Sequence, residues 1–183
     1  MTGVGTFDFV IVKHKPLSSK VDDFIIIEIQ GNQTTGTGAL VEALEDFTRG
    51  EFRKDSVYPF GLNTYDVLKR SFTQILNKGT VLEKWGHKIF WVFQEPVYRN
   101  FKTRYDLGSL QYKRTHSTIF AIYELRTGKK TFHVELVTYE SSTIKHLISA
   151  FMNNPNIPSK DDFINRLKGK IEAKIGLNLR LDK

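Results

Sequence analysis

Cysteine is absent from the 183-residue chain, which removes disulfides, thiolate metal sites and cysteine catalysis together. Its absence agrees with a reducing cytoplasm, the compartment expected for this protein. Long apolar runs are lacking as well. The longest are far too short to cross a bilayer, and no charged-then-apolar segment opens the chain to direct it to secretion. Internal repeats, low-complexity tracts and Pro/Gly/Ser-rich linkers are also missing, so residues 1–183 are expected to form a single domain with one substantial core.

What the chain has in excess is positive charge. Lys and Arg number 27 against 20 Asp and Glu, for a net charge of +7 and a pI near 9.5. A basic balance favours polyanions, because each neutralised phosphate releases condensed counterions. Many proteins are mildly basic with no such partner, so charge raises nucleic acid as a partner class and leaves the decision to the motifs.

Two strands open the chain. Phe7-Asp8-Phe9-Val10-Ile11-Val12 is β-branched and aromatic, and Phe24-Ile25-Ile26-Ile27-Glu28-Ile29-Gln30 is nearly all apolar, with turn chemistry around Pro16 between them. Gly36 and Gly38 punctuate a change of period, after which Ala39, Leu40, Ala43, Leu44 and Phe47 recur at helical spacing as far as Gly50. A second helix is capped by Asn63 or Thr64, carries Leu68, Phe72, Ile75 and Leu76 on one face, and is expected to stop at Gly79. Residues 88–93 read as a strand and residues 98–116 as an irregular, basic, tyrosine-rich stretch. Residues 117–125 and 130–139 read as a hairpin around Thr127-Gly128, and residues 143–152 and 160–175 as helices. This order predicts an α/β fold, a mixed central β-sheet flanked by helices.

The candidate chemistry lies in the first two strands. Glu28 and Gln30 are two apart, so their side chains leave the same face. A carboxylate within so apolar a run is costly to bury unless it is paired or bound to a metal. If the strands pair antiparallel about Ser18, Asp8 and Glu28 are each ten residues from the centre and face one another, close enough to share a cation. Two carboxylates beside a polar group suit Mg²⁺, a hard ion that polarises phosphodiesters and supplies a nucleophilic water. The alternative leaves Asp8 at a solvated strand start and Glu28 as an edge-strand charge that discourages aggregation. Asp22 and Asp23 are rival partners, but they fall in the turn.

Asp8-Phe9 on one strand, then Phe24 to Gln30 followed by Gly31-Asn32-Gln33-Thr34-Thr35-Gly36-Thr37-Gly38, resembles the catalytic region of NotI-type restriction endonucleases, members of the PD-(D/E)xK superfamily. Lys69-Arg70-Ser71-Phe72-Thr73-Gln74-Ile75-Leu76-Asn77-Lys78-Gly79 and Glu83-Lys84-Trp85-Gly86 are similar to that family's following helix and turn. The resemblance is strongest from Asp8 to about Phe101. It implies a restriction-endonuclease-like fold, a nuclease-like domain over residues 1–183, and a homodimer that cuts both strands of double-stranded DNA at a defined sequence with Mg²⁺. Asp8 and Glu28 become the metal ligands, and Gln30 the third catalytic residue, where the motif usually has lysine. Phe7 stands in place of the motif's proline. The family's upstream helices, with a further acidic residue, and its cysteine-bound metal domain have no counterpart here, which implies a shortened relative or a piece of a longer chain.

The DNA-contacting side chains are expected among Lys69 and Arg70 on the second helix and Arg99, Lys102, Arg104, Lys113 and Arg114 in the basic stretch. Each has an ordinary reading as a solvated surface charge, and the same holds for Lys78 on the polar helix face. Trp85, Phe90, Trp91 and Phe93 are expected in the core. Glu135 is either a paired carboxylate or a group supporting the site. The histidines show no metal-ligand spacing. The function read from these observations is Mg²⁺-dependent, sequence-specific endonuclease activity on double-stranded DNA. Its rivals are a nuclease-fold protein or fragment that binds DNA without cutting it, and a non-specific or repair nuclease.

Overall fold

A computed structural model describes residues 4–51, 55, 57–128 and 131–181, with side chains as far as residue 176. Its main sheet has five strands in the order β1-β2-β5-β6-β7, where β1 is Phe9–His14, β2 Val21–Gln30, β5 Lys88–Gln94, β6 Thr118–Thr127 and β7 Phe132–Ser142. The three central strands are parallel and the two edges antiparallel to their neighbours. Parallel neighbours require crossovers. Between β2 and β5 the chain runs through α1 (Thr37–Arg49) and α2 (Thr64–Trp85), and between β5 and β6 through α3 (Glu95–Tyr105). A two-residue ribbon, β3 (Thr34–Thr35) against β4 (Gly61–Leu62), brackets α1, and α4 (Ile144–Met152) and α5 (Lys160–Leu181) follow the sheet. The mixed sheet flanked by helices is the architecture expected from the sequence. Among the described residues no helix is long and apolar enough to cross a membrane.

One face of the sheet carries the core. Burial alternates along β5, with Ile89, Trp91 and Phe93 fully inside, and in register with them β2 turns Ile26, Glu28 and Gln30 inward. Helices α2, α3 and α4 supply the opposing layer through Val67, Phe72, Ile75, Leu82, Val97, Phe101, Ile144 and Leu147. Fully burying side chains of this size contributes about 1.5–3 kcal/mol each before entropy is counted.

Two elements differ from the sequence reading. Residues 98–116 are not irregular throughout, because α3 covers their first part. Val97, Tyr98, Phe101 and Tyr105 recur at helical spacing and are buried, and Pro96 sits in the first turn, where its missing N–H costs nothing. The basic and tyrosine content masked that period. The second helix does not stop at Gly79 but runs on to Trp85 and ends at Gly86. Gly79 is interior because α4 crosses there: a Cβ on it would lie 2.5 Å from Ile144 Cδ1. The longer helix carries Trp85 past the core into solvent, and Phe90 is only half-buried, whereas Trp91 and Phe93 are in the core as expected. Glu135 lies on an exposed stretch of β7 and pairs with Arg126 at 2.9 Å.

Gly36 marks the entrance to α1. Its φ of 67° is left-handed, and a Cβ there would meet the Pro59 carbonyl oxygen at 2.5 Å. Gly36→Ala is therefore expected to destabilise the protein by at least about 1–2 kcal/mol, read as a lowered midpoint in urea with unchanged slope.

Candidate active site

β1 and β2 pair with Phe9 opposite Ile27, Val10 opposite Ile26 and so on to Lys13 opposite Asp23. Continuing that register by one residue sets Asp8 opposite Glu28. One hydrogen bond joins the two, from the Asp8 backbone N–H to Glu28 Oε1 at 3.3 Å, and the N–H of the next residue, Ile29, donates to Asp8 Oδ2 at 2.8 Å. Asp8 is exposed, whereas Glu28 is 1% exposed. The Asp8 residue is thus open to solvent, whereas the Glu28 carboxylate is enclosed.

Gln30, the next inward-facing residue of β2, is buried and held by α2. Ser71 Oγ donates to its Oε1 at 2.7 Å, and its Nε2 donates to Gln74 Oε1 at 2.9 Å. Both ends of the amide are engaged, so its plane is fixed.

A third residue stands against Glu28. Lys78, reaching from α2, donates from Nζ to Glu28 Oε2 at 2.7 Å and to the Thr6 carbonyl at 2.7 Å, and its ammonium lies 5.4 Å from the Phe7 ring centroid. It is 6% exposed. The sequence reading placed it on a solvated helix face. A signal was present: Lys78 lies three residues after Ile75 and four before Leu82, on the apolar stripe. Ending the helix at Gly79 took Leu82 off that stripe and hid it.

The donor set suits a hard divalent cation. Each Glu28 oxygen makes one internal hydrogen bond and keeps a further lone pair, and Asp8 presents its carboxylate to solvent. Among the described residues no cluster of three or more Asp, Glu, His or Cys could enclose a metal. An ion held by Asp8 and Glu28 would therefore complete its shell with water or substrate oxygens, as Mg²⁺ commonly does.

The other basic residues fall into separate groups. Lys69 and Arg104 both stand over the Tyr65 ring, at 4.0 and 4.4 Å from its centroid, although Lys69 also reaches Asp66 at 3.5 Å. They line a groove of about 640 Å³ with Asn100, Asn154 and Asn156. Arg70 is exposed beside them on α2. Arg99 is engaged by Glu95 of its own helix. Lys102 bonds Glu140 at 2.9 Å, and Glu140 also accepts from the Tyr98 hydroxyl. Burial, reinforced by the Glu140 carboxylate, pushes the Tyr98 hydroxyl far above the ordinary tyrosine range, so it stays a donor and Lys102 is committed to an internal tie. Lys113 and Arg114 are exposed in the segment joining α3 to β6.

The family model described as restriction endonuclease NotI matches residues 2–136. The chain belongs to the NotI restriction-endonuclease family. That places it among type II site-specific deoxyribonucleases, a class of hydrolases. The matched span contains the β1–β2 pair, α2, β5, α3 and β6, and so includes Asp8, Glu28, Gln30 and Lys78. No curated protein matches the chain.

Ser71→Ala would strip the hydroxyl from a buried amide oxygen. A loss of about 1–3 kcal/mol is expected in urea unfolding, the cost of an unsatisfied buried acceptor.

Proposed function

We propose that this NotI-family protein hydrolyses phosphodiester bonds of double-stranded DNA at a defined sequence, with Mg²⁺ held by Asp8 and Glu28 in a PD-(D/E)xK arrangement. The observation that carries the reading is the pairing of exposed Asp8 with buried Glu28: the Asp8 N–H donates to Glu28 Oε1 and the Asp8 carboxylate accepts from the Ile29 N–H, in the region where the family resemblance is strongest. When bound, Mg²⁺ supplies Lewis acidity and a nucleophilic water near neutral pH. Asp8, in reach of solvent, and Glu28 would be the residues that hold the ion. Gln30 lies one inward-facing position further along β2, where its rigid amide orients groups by hydrogen bonds alone.

Phosphate contacts then set the register of the duplex. Lys69 and Arg104 suit that task, since the Tyr65 ring holds both cations beside an asparagine-lined groove, and Arg70, Lys113 and Arg114 add exposed charge. Arg99 and Lys102 would have to leave their carboxylate partners to join them. With one such acidic centre among the described residues, two copies acting as a homodimer would cut the two strands.

The test is a cleavage assay on long duplex DNA. Wild type with Mg²⁺ is expected to yield discrete fragments, and excess EDTA to abolish them. Asp8→Asn, which spares the buried Glu28–Lys78 pair, should lose cleavage by about 100-fold or more while still folding, because a metal ligand is gone. A smear in place of bands would point to a non-specific nuclease, and intact DNA with a mobility shift to a binding protein.

Lys69→Ala with Arg104→Ala should weaken binding across sequences. It should also lower the slope of log K against log salt by about 2, one counterion for each lost phosphate contact. An unchanged slope would remove these residues from the interface.

A further inference from the structure

Helix α2 presents Ser71, Ile75, Lys78 and Leu82 to the sheet at helical spacing, and all four are buried. Ile75 and Leu82 are apolar, and Ser71 is bonded to Gln30. A leucine or methionine at position 78 would complete the stripe without any desolvation cost. Replacing buried ion pairs by apolar residues is often neutral or stabilising, so stability alone does not account for an ammonium here. Its contacts do. Glu28 Oε1 faces the Asp8 N–H and Oε2 faces Lys78 Nζ at 2.7 Å, so the carboxylate is gripped from the first strand on one side and from the helix on the other. Nζ is itself anchored on the Thr6 carbonyl, two residues before Asp8. Residue 30 meanwhile is a neutral glutamine with both amide ends engaged.

We infer that Lys78 is a positioning residue of the acidic centre: it sets Glu28 beside Asp8 and delivers, from α2, the fixed positive charge that residue 30 does not carry. The inference rests on reading Asp8 and Glu28 as cation ligands. Of the three N–H donors of the ammonium, two are engaged within the protein, one on Glu28 and one on Thr6. The charge offsets the carboxylate pair before a cation arrives and competes with that cation for Glu28. Removing it has two opposite consequences. A cation gains access to an uncontested Glu28, while the carboxylate loses the grip that sets its orientation. A tie serving stability alone would change neither cation binding nor turnover once the variant is folded.

The experiment compares wild type, Lys78→Gln, Lys78→Met and the double variant Gln30→Lys/Lys78→Gln. Folding is checked by circular dichroism, and Lys78→Met, whose unbranched chain suits the same space, serves if the glutamine variant does not fold. Mg²⁺ is titrated calorimetrically without DNA, and cleavage is measured at saturating Mg²⁺. The expected result is several-fold tighter Mg²⁺ binding with kcat lowered by about 100-fold, the usual scale for losing one preorganised charged donor. The double variant, with its lysine moved to β2, should regain at least a tenth of wild-type kcat. A folded single variant with wild-type Mg²⁺ affinity and wild-type turnover would overturn the inference, as would a double variant no better than the single one. If wild type binds Mg²⁺ but cuts no DNA, the nuclease reading fails by itself, and the change in Mg²⁺ affinity alone decides the role of Lys78. If wild type binds no Mg²⁺, both readings fall.

Discussion

A carboxylate in the middle of a sheet has to be answered by something, and much of the arrangement around β2 is the answer to Glu28. Leaving a charge buried and unpaired costs several kcal/mol, enough to consume a large part of a domain's net stability. Two separate segments converge to avoid that. The chain before β1 turns its Asp8 N–H to one oxygen, α2 sends Lys78 to the other, and the Thr6 carbonyl holds the lysine in place. The need to bring these together fixes how α2 lies on the sheet, since Ser71 and Gln74 must reach Gln30 while Lys78 reaches Glu28 along the same face. The apolar packing of Phe72, Ile75 and Leu82 then has to fit that placement.

The polar line through the core also explains why α2 is so long and why a glycine sits inside it. A helix ended at residue 79 would deliver Lys78 from a fraying last turn. Continued to Trp85, it delivers the lysine from an interior turn, with Leu82 buried one turn further on. Gly79 lets α4 approach closely at that level, with Ile144 in the space where a side chain would be. Glu28, Gln30 and Lys78 are thus held by a strand and a helix, the arrangement that fixes groups to tight tolerances, with Asp8 one residue before β1. The exposed basic residues Lys69, Arg70, Lys113 and Arg114 lie on the surface of α2 and on the segment between α3 and β6, away from the core.

How much of this was legible in the chain varies by residue. The antiparallel pairing of the first two strands followed from their apolar patterns and the turn between them, and the observed register, continued by one residue, brings Asp8 opposite Glu28, where its N–H meets Glu28 Oε1. Pairing between neighbours in sequence has few alternatives, because one slip would turn the whole inward set to the wrong face. Helix α3 was not legible, since its buried stripe of Val97, Tyr98, Phe101 and Tyr105 is interleaved with Arg99, Lys102 and Arg104, and charge density drew attention from periodicity. Lys78 was missed for a different reason. Whether a lysine beside an apolar stripe is solvated or buried depends on what lies across from it, and the residue across from it is 50 positions away.

The sequence by itself determined the class of fold, the family, and the acidic pair on the first two strands, because each rests on local pattern or on residues close along the chain. Only the tertiary structure decided where the positive charge beside Glu28 comes from, that Gln30 is immobilised by Ser71 and Gln74, and which basic side chains are already committed to carboxylates within the protein. Those outcomes depend on how α2 and α3 lie across the sheet. That placement has to satisfy the polar contacts of β2 and the packing of many apolar side chains at once, and no short stretch of sequence encodes it.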